Sequence, residues 1–86
     1  MFQKKFNNLD KNLKSKLLLL LSLLEQGKPL PISAKDHKLK GNYEDFREFH
    51  LKGDLLVLYK YAEEENTIYV LRLGSRSELF ENIWLT

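Results

Sequence analysis

Leucines at positions 9, 13, 17, 20 and 24 recur at steps of four and three, the spacing of a stripe along one side of an α-helix. Lys11, Lys14 and Lys16 fall off the stripe. Leu18, Leu19, Leu21 and Leu23 widen it, which predicts a helix covered on more than one side. Gly27 suits the left-handed residue that closes a helix, and Pro29 and Pro31 prevent its resumption. Asn7, Asn8 and Asp10 start or break the pattern upstream, so the segment reads as one bent helix or a hairpin of two. Residues 28–42 read as a loop anchored by Leu30, Ile32 and Leu39.

Beyond the loop the period falls to two. Phe46, Glu48 and His50 face one way, and Arg47, Phe49 and Leu51 the other. Lys52-Gly53-Asp54 is a tight turn, and Leu55 to Tyr61 is a second strand rich in β-forming residues. Glu63-Glu64-Glu65-Asn66 reads as an acidic hairpin loop, and Thr67 to Leu73 as a third strand. Gly74-Ser75 ends it, with Ser75 or Ser77 capping a short last turn that carries Leu79, Phe80, Ile83 and Trp84. The order predicts an α+β fold, with an N-terminal helix or helical hairpin packed on an antiparallel sheet of three or more strands.

Eighty-six residues make one domain, residues 1–86, and 43% hydrophobic with 12% aromatic residues is enough for a core. Cysteine is absent, which excludes disulfides and thiolate metal sites. The apolar run from Leu17 to Leu24 is far short of the ~20 residues of a membrane span. Met1 is followed closely by Lys4 and Lys5 without the apolar stretch of a secretory signal, so a soluble, cytoplasmic protein is expected. The net charge of +2 divides unevenly. Residues 1–40 hold nine Lys/Arg against three Asp/Glu, and residues 41–86 hold five against nine. The basic first half, Lys38 and Lys40 included, is able to track a polyanion, although lysines on a helix are more often its solvated face.

The residues that move protons near neutrality are concentrated. Both histidines, His37 and His50, lie within twenty residues of each other together with Asp36, Arg47 and Asp54. Cleaving RNA with its own 2′-hydroxyl needs a base, a cation for the charged phosphorane, and an acid for the departing 5′ oxygen. Histidine and arginine suffice for all three, with no cofactor. Asp54, across the turn from His50, is placed to orient that imidazole. Arg47 falls on the face opposite His50, where a salt bridge to Glu48 or Glu78 competes with a substrate role. Arg72 and Arg76 flank Gly74 and suit phosphate binding. Phe80 either stacks on a base or closes the core. Tyr43, Tyr59, Tyr61 and Tyr69 read as sheet packing. Two imidazoles without metal-ligand spacing make a metal site a weak alternative.

The succession Leu30-Pro31, Asp36-His37-x-Leu39-x-Gly41, Phe46-Arg47-x-x-His50, Asp54-Leu55-Leu56-Val57-Leu58-Tyr59 and Leu73-Gly74-Ser75-x-Ser77-x-Leu79-Phe80 resembles the YafQ branch of the RelE/ParE superfamily of bacterial toxins. The resemblance implies a twisted, microbial-ribonuclease-like sheet and ribosome-dependent cleavage of mRNA, restrained by a cognate antitoxin protein. By position it makes His37, His50 and Asp54 catalytic, with His50 the favoured base. It also draws Arg47 and Phe80 toward the substrate. Arg76 stands where the family usually has a histidine, so it could stabilise the phosphorane but would be a poor acid; either that task passes to His37 or activity is lowered or lost. By the same resemblance the chain lacks the first strand usual in the family, which would expose a sheet edge. The alternative is a non-catalytic relative that poisons another target in the manner of ParE toxins, or that only binds antitoxin.

Overall fold

The leucine stripe forms helix α1, Lys11–Glu25, in the computed structural model of the chain, which describes residues 6–41 and 44–79. Asp10 is its N-cap. Its backbone is extended and its carboxylate accepts the Leu13 N–H at 2.8 Å, satisfying a donor that has no partner inside the helix. Phe6 and Asn7 are also helical, so the chain breaks before Asp10. At the other end Gly27 is left-handed, at φ +71°. There the Gly27 N–H reaches Leu24 O at 3.0 Å and the Lys28 N–H reaches Leu23 O at 2.9 Å. This 6→1 and 5→2 closure is the stop that Gly27 suggested. The helix is covered on one side only. Leu17 and Leu20 are buried, whereas Leu18 and Leu19 stay more than half exposed.

Four antiparallel strands follow in the order β1 (His37–Lys38), β2 (Arg47–Lys52), β3 (Leu55–Ala62) and β4 (Thr67–Ser75). The three longer strands lie where the period-two pattern put them. β1 does not: it is a two-residue edge strand inside the segment read as loop. Gly53, at φ +49°, turns β2 into β3. Glu63–Glu65 and a left-handed Asn66 turn β3 into β4. After β4, Ser75 and Glu78 bond reciprocally: Glu78 Oε1 accepts the Ser75 N–H at 2.9 Å, and Ser75 Oγ accepts the Glu78 N–H at 3.2 Å. This capping box starts the last described turn.

Alternation gives the sheet two different faces. Phe49, Leu51, Val57, Tyr59 and Leu73 point toward α1 and join Leu17, Leu20 and Ala34 in the main core. The tilted ring contact of Phe49 and Tyr59, 5.7 Å between centroids, lies within it. On the other face Leu56, Leu58 and Leu79 form a smaller cluster with Leu39 and Phe46. Burying one such side chain stabilises the fold by roughly 1.5–3 kcal/mol. Among the described residues no helix is long and apolar enough to cross a membrane. The start of the chain, Phe80 and the segment with Ile83 and Trp84 lie outside the described residues.

Candidate active site

The face with the smaller cluster carries the chemistry. β2 places Glu48 on it between Phe46 and His50, and Glu48 is 0% exposed. A carboxylate without water needs partners, and two side chains supply them to the same oxygen. Arg76 Nη2 lies 2.7 Å from Glu48 Oε1, and His37 Nε2 lies 3.2 Å from it. Oε2 has no hydrogen-bond partner among the described residues. The imidazole of His37 and the guanidinium of Arg76 are therefore no farther apart than those two contacts laid end to end. The pairing of β1 with β2 explains the first contact, because His37 is the register partner of Glu48. The capped turn after β4 explains the second, since it starts beside Ser75 and carries Arg76 back over the sheet.

His50 lies two residues beyond Glu48 on the same strand, hence on the same face and about 7 Å along it. The two imidazoles are held differently. His50 Nδ1 sits 3.0 Å from the Gly53 carbonyl, so it donates there and leaves Nε2 as the lone-pair nitrogen. His37 Nδ1 donates to the Lys35 carbonyl at 2.8 Å while its Nε2 faces Glu48.

The other residues singled out from sequence distribute as follows. Arg72 shares the face and belongs to the row of Glu48, through Leu58. Asp54 is exposed in the β2–β3 turn, and it is the Gly53 carbonyl, not its carboxylate, that receives His50 Nδ1. Lys40 is exposed just beyond β1. Phe80 lies outside the described residues. Arg47 departs from the expected substrate role, because strand alternation turns it to the helix side. There its Nε donates to Asp36 Oδ1 at 3.3 Å and to the Tyr59 hydroxyl at 3.1 Å. Its acidic partner is thus Asp36 rather than Glu48 or Glu78. Lys38, the register partner of Arg47, shares that side.

Tyr59 in turn donates to Asp36 Oδ1 at 2.6 Å. Burial pushes the phenol well above its ordinary range, and the bond to Asp36 adds to this, so Tyr59 stays a neutral donor. Burial works against the charge of Arg47, but the bonds and attraction from Asp36 and Tyr59 outweigh it and its pKa is raised. A cleft of about 270 Å³ opens beside these three groups, between Leu24, Lys28, Tyr61 and Ile68.

Two features escaped the sequence reading. Glu48 was placed on the correct face, but only as a possible partner of Arg47. An acidic residue alternating with His50 on a strand that is otherwise buried was the available signal. Tyr59 read as packing, and nothing in its spacing signals the hydroxyl's partner 23 residues earlier in the chain.

A helix laid across one face of a small antiparallel sheet, with imidazole, guanidinium and carboxylate gathered on the other, defines the class as a compact α+β protein with a candidate acid–base site on one sheet face. The family described as "Bacterial toxin of type II toxin-antitoxin system, YafQ" matches residues 1–81, and the chain belongs to it. It is 33% identical over 66 residues to the putative toxin YafQ of Haemophilus influenzae, a match covering 74% of this chain. It is 33% identical over 67 residues to the mRNA interferase toxin YafQ of Escherichia coli K12, covering 77% of this chain and 71% of that protein. The match spans 65% of the length of the Haemophilus relative, slightly under two thirds. A crystal structure of a metal-bound toxin from Helicobacter pylori superposes with a TM-score of 0.77 at 44% identity, covering 92% of this chain and 90% of that one. Among the described residues here, no three His, Asp or Glu side chains come together as a metal-ligating group.

Proposed function

We propose that this chain is the toxin of a type II toxin–antitoxin pair within the RelE/ParE superfamily, an endoribonuclease that cuts mRNA on the ribosome. The observation that carries the reading is the sharing of one buried carboxylate oxygen by His37 and Arg76, with His50 on the same face. His50 Nε2 takes the proton of the 2′-hydroxyl, whose oxygen attacks the adjacent phosphorus. Arg76 offsets the charge that builds on the phosphorane. His37, held between the Lys35 carbonyl and Glu48, gives a proton to the departing 5′ oxygen, leaving a 2′,3′-cyclic phosphate. Glu48 holds the acid and the cation at a fixed separation. Arg72, farther along the same row, and Lys40 at the rim are placed to bind flanking phosphates. Asp54 and Phe80 retain the roles their positions in the family motif imply, beside His50 and beside the scissile base respectively.

The family description and the name of the Escherichia coli relative support the same activity. The restraining partner is a cognate antitoxin, a protein in systems of this type. The test is cleavage of ribosome-bound mRNA by purified protein. His50→Ala and His37→Ala each lower the rate by about 10²–10⁴-fold. Cleavage at the unaltered rate in both variants overturns the catalytic reading and leaves a binding-only toxin.

A further inference from the structure

β1 is too short to hold its own position, yet it carries the candidate acid. Two residues of antiparallel pairing at a sheet edge offer a few backbone bonds and no side-chain ladder. The residue before His37 supplies what is missing. Asp36 is turned to the helix side, where its Oδ1 receives both the Tyr59 hydroxyl and Arg47 Nε. Arg47 and Tyr59 are themselves register partners on β2 and β3, so the carboxylate is fastened to two central strands at once. Upstream, Ala34 is buried in the main core and Lys35 is left-handed at φ +49°, a conformation costing a non-glycine residue roughly 1 kcal/mol or more. The chain accepts that cost where it swings Asp36 under the sheet and leaves His37 above it.

We infer that Asp36, fastened by Tyr59 and Arg47, is a positioning residue that sets His37 against Glu48 through the thickness of the sheet. The inference rests on the proposed role of His37 and assigns the device that holds it. Release of Asp36 frees the edge strand, and the imidazole loses its common placement with Arg76. Misplacement of a reacting group by about 1 Å can cost about 10²-fold in rate.

The test combines cleavage kinetics with the imidazole signals of His37 in nuclear magnetic resonance. Asp36→Ala and Tyr59→Phe lower the rate at saturating ribosome-bound mRNA, by about 10- to 100-fold for Asp36→Ala, with half-saturation changed little. Asp36→Asn, whose amide oxygen still accepts from Tyr59 and Arg47, restores most of the loss. In a His37→Ala background Asp36→Ala costs nothing further, because residues that act through one another are not additive. The Nδ1 proton of His37, held by the Lys35 carbonyl, exchanges faster with solvent in Asp36→Ala and Tyr59→Phe, while the His50 signal is unchanged. An unchanged His37 signal, or an equal loss of rate with and without His37, overturns the inference. The resonance is read without any cleavage, so failure of the positioning role and failure of the catalytic reading give different results.

Discussion

A carboxylate out of water depends on the partners that stay with it, and the two serving Glu48 are themselves about half in solvent. Removal of either end therefore has unequal consequences. Arg76→Ala strands a buried charge with only His37 beside it, and costs about 2 kcal/mol in urea unfolding. Glu48→Gln keeps the shape, removes the charge and leaves an amide oxygen that still accepts from Arg76, so its cost is about 1 kcal/mol or less while cleavage still falls. A larger stability loss in Glu48→Gln than in Arg76→Ala would contradict this ordering. Tyr59 gives a pH signature of its own. Its folded-state pKa is raised, so its contribution is complete below the unfolded value of about 10 and fades as the pH rises above that. Tyr59→Phe flattens the alkaline limb of the stability curve, measured as melting temperature between neutral and strongly alkaline pH. At this scale the candidates His37, His50 and Arg76 stand out in the sequence because their chemistry is distinctive. Glu48 and Asp36 do not, since a carboxylate takes its surroundings from the partner opposite, which spacing along the chain does not show.

Helix and strands were legible because each rests on a repeated pattern. α1 follows the steps of three and four, and β2, β3 and β4 the alternation of two. β1 repeats nothing, and its existence depends on pairing with a strand ten residues later, so it was invisible. The ends of α1 are set by local chemistry, and they yield a prediction of their own. Gly27→Ala places a side chain at a positive φ in open space, so the penalty is conformational rather than a clash. It costs about 1 kcal/mol and lowers the melting temperature by about 4–8 °C. An unchanged transition would mean that the helix ends elsewhere in solution.

Across the whole molecule the sheet separates two tasks, with α1 and the main core on one side and the proton-transfer groups on the other. The alternation of β2 already implied that division, since it set Arg47 apart from His50. The exposed Leu18 and Leu19 belong to the helix side and suit a surface that a protein partner covers. Leu18→Ser combined with Leu19→Ser weakens capture by the antitoxin, measured by calorimetry, and leaves mRNA cleavage intact. Loss of both together would show that the two faces are not independent.

The sharp division between the faces makes the shortest strand a vulnerable point. Were the chain to slide one notch along the edge of β2, every side chain there would change sides. The imidazole would be driven toward the leucines under α1, and the aspartate would meet Glu48 as a second anion. The pairing of His37 with Glu48, more than the identity of either residue, therefore decides whether the site is assembled.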